Sequence, residues 1–167
     1  MKTAFVAIRT VFFATCFVWL WTWVALSVRV YDRRYALALT PSLELPGALL
    51  MAIGAVLVLS CLLGFIFRGQ GTPAPFDPPE VLVVAGPYKY VRNPMYLGAW
   101  LLLAGTGLYL RSGSMVLFSL VWIGAVHLLV VLLEEPGLRR RFGASYQDYC
   151  RKVPRWIPLW AKYDVRL

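Results

Sequence analysis

The chain has 167 residues, of which 60% are hydrophobic and 15% are charged, and its formal net charge at pH 7 is +9. A soluble domain carries roughly a quarter charged residues and about half apolar ones, so this composition excludes an ordinary soluble protein. The excess of apolar residues indicates an integral membrane protein. The positive charge suits an anionic lipid surface. We expect no nucleic-acid partner, because the sequence offers no soluble basic domain to bind one.

Four apolar segments approach the roughly 20 residues that a membrane-spanning helix needs. They cover residues 4–26, 45–67, 94–110 and 114–133. The first is longer than the apolar core of about 7–15 residues in a signal peptide, so we interpret it as a retained span. The predicted fold is all-α, a bundle of four transmembrane helices that forms one integral membrane domain over residues 1–167.

The distribution of Lys and Arg between the loops predicts the orientation of this bundle. One side carries Lys2, Arg68, Lys89, Arg92 and the cations of the C-terminal tail, and the other carries Arg29, Arg33, Arg34 and Arg111. The more basic side is expected to be cytoplasmic. Both termini and the inner loop at 68–93 would then lie in the cytoplasm.

The inner loop and the tail differ in pattern from the spans. The loop contains five prolines, and Asn93-Pro94 at its end predicts a helix start, with Asn93 as the cap and Pro94 as the first helical residue. In the tail, Leu138, Phe142, Tyr146 and Tyr149 fall on one helical face. This spacing predicts an amphipathic C-terminal helix that lies at the membrane interface.

The chain has three scattered cysteines and one histidine, His127. This set predicts neither a disulfide framework nor a metal site. A lone histidine in a span more often bonds a neighbouring helix than takes part in chemistry, and we favour that interpretation for His127.

Two adjacent carboxylates, Glu134 and Glu135, follow the fourth span directly. Negative charge is unfavourable at the C-terminal end of a helix, so these groups are expected to have partners. One alternative is pairing with the arginines at 139–141, and the other is a cationic ligand.

Two motifs together resemble a known family. "GPYKYVRNPMYLG" at 86–98, followed after a helical hairpin by "EEPGLRRRFGASYQDYCRKVPRWIP" at 134–158, is similar to the isoprenylcysteine carboxyl methyltransferases, which are integral membrane enzymes. The resemblance covers residues 82–158. It implies S-adenosylmethionine as the cofactor and a small lipid-like or isoprenoid methyl acceptor that enters from the bilayer.

The resemblance also implies a cofactor region at about 80–158 and a set of site residues. The implied cofactor-binding residues are Val81, Leu82, Val83, Tyr88, Asn93, Pro94, Met95, Tyr96 and Glu134, and the implied catalytic residues are Arg92 and Glu134. Tyrosine faces can hold a sulfonium cation, a glutamate can accept from the cofactor's amino group, and a helix N-terminus can bind its carboxylate. Methyl transfer of this kind requires no metal.

Two positions depart from the family pattern. The usual R-H-P-x-Y is Arg92-Asn93-Pro94-Met95-Tyr96 here, a variant shared with the related phospholipid N-methyltransferases. Val130 occupies the place of a substrate-binding arginine of the prenylcysteine enzymes. Three alternatives to an isoprenylcysteine-type methyltransferase remain open. They are a phospholipid N-methyltransferase, an NADPH-dependent membrane reductase similar to sterol reductases, and a non-catalytic membrane scaffold. A short bacterial member of the inner membrane is the favoured interpretation.

Overall fold

The computed structural model describes residues 2–64, 82 and 84–158. Within these residues the regular structure is helical, which confirms the predicted all-α class. The α-helices are α1 (Lys2–Val28), α2 (Val30–Tyr35), α3 (Glu44–Gly64), α4 (Pro94–Tyr109), α5 (Gly113–Leu129) and α6 (Glu135–Lys152). Short 3-10 turns at Pro41–Leu43 and Gly86–Lys89 precede α3 and α4.

Two helical segments among the described residues are long and apolar enough to cross a membrane, Pro41–Gly64 and Gly113–Lys152. Helix α4 has 16 residues, so its length is about 24 Å at a rise of about 1.5 Å per residue. That is shorter than the roughly 30 Å hydrocarbon core of a bilayer.

Glycines bring α3 and α4 into close contact. A Cβ atom added at Gly54 would lie 2.6 Å from the carbonyl oxygen of Gly98, and one at Gly105 would lie 2.7 Å from the carbonyl oxygen of Gly47. Such small residues let the backbones of membrane helices approach each other, which is how these helices gain packing energy without a hydrophobic driving force. This close contact fixes α4 against α3, and the first turn of α4 carries several of the predicted site residues.

The far end of α4 turns sharply into α5. Arg111 has a φ of 55°, and the Ser112 hydroxyl caps α5 by accepting a hydrogen bond from the Met115 amide at 3.2 Å. Asp32 at α2 accepts from the amide and the hydroxyl of Ser114, at 2.9 and 2.5 Å. Helix α2 is therefore tied to the first turn of α5.

Helices α5 and α6 form one continuous helical segment rather than a span and a separate tail helix. A π-helical turn at Val130–Glu134 joins them, and α6 bends at Gly143, whose φ and ψ are 53° and −126°. The predicted amphipathic helix is present. Its apolar face, however, packs on protein, because Tyr146 and Tyr149 are buried with Val153 and contact Leu82 and Val84. The placement of this helix at the membrane interface stays a prediction.

Candidate functional site

The start of α4 is held by the segment that follows α6. Helix α4 begins at Pro94, as predicted, but the predicted side-chain cap from Asn93 is wrong. Instead, Asn93 Nδ2 donates to the carbonyl oxygen of Arg155 at 3.3 Å. The first hydrogen bond of the helix runs from the Leu97 amide to the Asn93 carbonyl at 3.1 Å. The amides of Met95 and Tyr96 thus begin the helix without a side-chain cap among the described residues, which leaves two donors at a positive helix end.

Tyr96 and Glu134 meet at the centre of this region. The Tyr96 hydroxyl donates to Oε1 of Glu134, and both side chains are half-buried. Within the described part of the chain, Oε2 of Glu134 makes no hydrogen bond and remains an acceptor. Glu134 is the last residue of the π-helical turn, a distortion that changes the rotation of the helix and is frequent at functional sites. The structure therefore brings together two residues that the sequence placed 38 positions apart.

Tyr88 lies beside this pair. Its side chain hydrogen-bonds the Cys61 thiol of α3 and interacts electrostatically with Tyr96. Its carbonyl oxygen accepts from the Tyr149 hydroxyl at 2.7 Å. The 3-10 turn that carries Tyr88 is thus fixed to both α3 and α6, which places a third predicted site residue next to Tyr96.

Glu135 is the centre of a buried ionic network. Its carboxylate accepts from Arg92 Nη1 at 3.0 Å and from Arg155 Nε and Nη2 at 2.7 and 3.1 Å. Arg139 approaches to 3.8 Å. The hydrogen bond from Arg155 to this carboxylate raises the pKa of the Arg155 guanidinium. Pairing with the arginines at 139–141, one alternative for the two glutamates, is thus confirmed for Glu135 and Arg139, whereas Glu134 forms no ion pair with them among the described residues.

Arg92, a predicted catalytic residue, is occupied by this network. Its Nη1 atom donates to Glu135 and also contacts the Cys150 sulfur at 2.9 Å. Its Nε atom is buried without a hydrogen-bond partner among the described residues. The guanidinium thus faces protein, and its main contribution in this structure is to join α4 to α6.

Residues 153–156, which we call the C-terminal strap, hold the site together. The Pro154 carbonyl accepts from the Arg92 amide at 2.9 Å, and the Arg155 carbonyl accepts from Asn93. The Trp156 indole donates to His127 Nδ1 at 3.0 Å. The sequence alone shows a segment rich in aromatic and basic residues, which is typical of a membrane interface, and it does not indicate these contacts.

The remaining predicted site residues differ in what they contact and in how deeply they are buried. Leu82 contacts the cluster of Tyr146 and Tyr149, Pro94 is buried at the helix start, and Met95 is half-buried. Val81 and Val83 lie outside the described residues. Among the residues that the structure describes, no group of three or more His, Cys, Asp and Glu side chains is placed to hold a metal ion.

Comparison with known proteins identifies relatives over the same region. The family model described as phospholipid methyltransferase matches residues 43–145. A protein-S-isoprenylcysteine O-methyltransferase of Schizosaccharomyces pombe is 41% identical over 81 residues, which are 48% of this chain and 34% of the relative. A methanethiol S-methyltransferase 2 of Bradyrhizobium diazoefficiens is 42% identical over 72 residues, which are 42% of this chain and 26% of the relative. The chain thus spans about a third or less of the length of these relatives.

One solved structure is similar over most of the chain. It is a eukaryotic intramembrane Ras methyltransferase, an isoprenylcysteine carboxyl methyltransferase, and it matches with a TM-score of 0.61 over 87% of this chain and 53% of its own. At 22% identity this likeness establishes the fold. The shared fold of an intramembrane protein and the two apolar helical segments together indicate a membrane protein. Because the family model covers more than half of its residues, this chain belongs to the phospholipid methyltransferase family, which agrees with its resemblance to the isoprenylcysteine carboxyl methyltransferases.

Proposed function

We propose that this protein is an S-adenosylmethionine-dependent methyltransferase that acts on a small lipid-like acceptor. The observation that carries the proposal is the hydrogen bond between Tyr96 and Glu134 at the uncapped start of α4. It places a carboxylate, an aromatic ring and free helix amides in one half-buried region. The methyltransferase relatives support the same reaction class.

The donors and acceptors at this site fit the amino-acid part of the cofactor. Oε2 of Glu134 is available to accept from an ammonium group, and the amides of Met95 and Tyr96 are available to donate to a carboxylate. The rings of Tyr88 and Tyr96 offer negative faces to a sulfonium cation. We assign cofactor binding to these residues, to Asn93 and Pro94, which shape the helix start, and to the stretch 81–83 that precedes them.

The chemistry at this site requires mainly positioning. S-adenosylmethionine, when bound, supplies a methyl group from its sulfonium sulfur, which keeps the electron pair of the broken bond while a lone pair of the acceptor forms the new one. Glu134 and the start of α4 orient the reacting groups, which lowers the entropic part of the barrier. The surrounding apolar side chains exclude water from the reaction. Within this proposal Arg92 acts as a positioning residue, because its guanidinium is bound to Glu135.

We further propose that residues 1–167 form a single domain with four spans in a bacterial inner membrane, with both termini and the cofactor site in the cytoplasm. The asymmetry of Lys and Arg between the loops supports this orientation. Reporter fusions at residue 1 and at residue 167 should both give cytoplasmic signals. Signals from opposite sides of the membrane would contradict the arrangement.

The experiment that tests the function is a comparison of ligands. The detergent-solubilised protein is titrated calorimetrically with S-adenosylmethionine, S-adenosylhomocysteine and NADPH. We expect saturable binding of the first two, accompanied by an increase in melting temperature because the ligand binds the folded state. Binding of NADPH alone would favour the reductase, and binding of none at millimolar concentration would favour the scaffold. A phospholipid N-methyltransferase would bind the same cofactor but methylate phosphatidylethanolamine in vesicles.

A further inference from the structure

His127 is the only histidine of the chain, and the structure gives it a specific partner. Its Nδ1 atom accepts a hydrogen bond from the Trp156 indole at 3.0 Å, with the two ring centroids 6.1 Å apart. The sequence suggested a bond to a neighbouring helix. The observed partner belongs instead to the C-terminal strap, whose Pro154 and Arg155 carbonyls hold the start of α4.

This hydrogen bond fixes the tautomer of His127. An indole N–H can only donate, so Nδ1 must present a lone pair, and a neutral imidazole then carries its proton on Nε2. No hydrogen bond to Nε2 occurs among the residues that the structure describes, and the ring is half-buried. His127 therefore offers one directed N–H donor. A donor without a partner is costly in apolar surroundings unless a polar ligand satisfies it.

The surroundings of Trp156, the partner of His127, are apolar and adjoin the cofactor site. Trp122, Val126 and Val130 form a buried cluster on α5, and both Trp156 and Tyr96 pack against it. The same cluster thus links the partner of His127 to the partner of Glu134. A molecule bound at His127 would therefore lie close to the proposed cofactor site.

The three cations near this surface are all held by one carboxylate. Arg92 and Arg155 both bind Glu135, and the exposed Arg139 also approaches it. Two side-chain donors beside this cluster, the indole N–H of Trp100 and the Nε2–H of His127, have no hydrogen-bond partner among the described residues. The Trp100 nitrogen is enclosed by protein, which leaves the neutral N–H of His127 accessible to a ligand. Its chemistry suits a single lone-pair-bearing atom, such as a thiolate sulfur or one oxygen of a carboxylate.

We propose that His127 binds the methyl acceptor through Nε2–H, with Trp156 as the positioning residue that fixes its tautomer and direction. This inference rests on the proposed methyltransferase function. It places the acceptor at the half-buried face of His127, next to the C-terminal strap and outside the buried α5 cluster. The acceptor is then a molecule with an apolar body and a hydrogen-bond-accepting head.

Two substitutions separate acceptor binding from a purely structural role. In His127→Asn, the side-chain oxygen can take the place of Nδ1 and accept from Trp156, whereas the Nε2–H donor is lost. In His127→Gln, the amide can reach the position of Nε2 and donate, whereas the bond to Trp156 is lost. We expect His127→Asn to keep the melting temperature and to raise the KM of the acceptor about ten- to a hundredfold. We expect His127→Gln to lower the melting temperature and to keep the KM within a few-fold.

The probes are methanethiol and N-acetyl-S-farnesylcysteine, which present a thiolate and a carboxylate and are assayed for methyl transfer from labelled S-adenosylmethionine. Larger effects on one probe identify which head His127 binds. The binding of S-adenosylhomocysteine is measured on each variant and should not change. The opposite pattern, a destabilised Asn variant with unchanged KM for both probes, would overturn the inference while the proposed function stands. Absence of turnover and of acceptor binding in the wild type, with S-adenosylhomocysteine still bound, would overturn it too.

Discussion

Arg155 donates two hydrogen bonds to the carboxylate of Glu135, from Nε at 2.7 Å and from Nη2 at 3.1 Å. Arg92 reaches the same carboxylate from the start of α4. One buried glutamate thus joins α4, α6 and the C-terminal strap. Glu134, the residue before it, accepts instead from Tyr96. The two adjacent glutamates are therefore expected to have different functions, one in stability and the other in ligand binding.

Glu135→Gln is expected to destabilise the fold. The side chains of Glu135 and Arg92 are only 5% and 12% exposed, so water cannot readily replace the lost carboxylate. Removing one partner of a buried pair costs about 3–5 kcal/mol, and the partial exposure of Arg155 places this case near the lower end. Thermal unfolding in detergent measures the loss. A melting temperature equal to that of the wild type would show that the network contributes no net stability.

Glu134→Gln is expected to weaken cofactor binding without unfolding the protein. The amide cannot make the charge-assisted hydrogen bond to an ammonium group, which is worth about 1.5–3 kcal/mol, or a factor of about ten to more than a hundred in Kd. Calorimetry with S-adenosylhomocysteine measures the change. Glu44→Gln is the matched control, because Glu44 forms an exposed ion pair with Arg111 at the other end of α4 and its loss should leave the Kd unchanged.

Either of two results would contradict the assignment of Glu134. One is an equal loss of affinity in Glu134→Gln and in a Glu135→Gln protein that remains folded. The other is a lower melting temperature of the Glu134 variant with an unchanged Kd. Both would mean that the carboxylate of Glu134 supports the helix packing and does not contact the ligand.

Sequence reasoning found the elements with strong local signals. The all-α class and the start of α4 at Pro94 follow from apolar length and from the geometry of proline. The meeting of Tyr96 with Glu134 was implied by the family resemblance, and no local pattern fixes it, because it depends on the π-helical turn at Val130–Glu134. That turn changes the rotation of the helix, so a regular period of 3.6 residues misplaces whatever follows it.

The roles of Glu135 and of the C-terminal strap could not be predicted for a related reason. Their partners are distant in sequence, with Arg92 and Glu135 separated by 43 positions and Trp156 and His127 by 29. A cap such as Asn93 is a local signal, and here tertiary contacts override it, because the Asn93 amide donates to the strap instead. Charge patterns indicate that a carboxylate needs a partner, but they do not specify which cation supplies it.

Gly54→Ala is expected to disrupt the contact between α3 and α4. The new Cβ would lie 2.6 Å from the Gly98 carbonyl oxygen and 2.8 Å from the Leu102 amide nitrogen, which are backbone atoms that cannot rotate away. Overpacking of this kind costs about 1–3 kcal/mol. Gly124→Ala on α5 is the matched control, since its Cβ would meet no heavy atom within 4 Å. The control should be neutral or stabilised by up to about 1 kcal/mol in thermal unfolding. Equal effects of the two substitutions would contradict the close helix contact.

Asp32 is expected to make stability depend on pH at the end of the molecule opposite the site. Partial burial works to raise the pKa of this carboxyl, but hydrogen bonds from Ser112 and Ser114 and the charge of Arg29 outweigh it and hold the pKa below its ordinary value. A carboxyl with a lowered pKa in the folded state stabilises the fold fully above its unfolded pKa of about 3.9, and this stabilisation is lost as the pH falls through the folded value. The wild type should therefore be more stable than Asp32→Asn at neutral pH, and the difference should shrink below about pH 4. Melting temperatures of both proteins between pH 7 and pH 3 measure this difference in stability. The same comparison in a Ser114→Ala background should give a smaller difference at every pH. A difference that stays constant across this range, or that grows as the pH falls, would contradict the role of the ionised Asp32 at the start of α5.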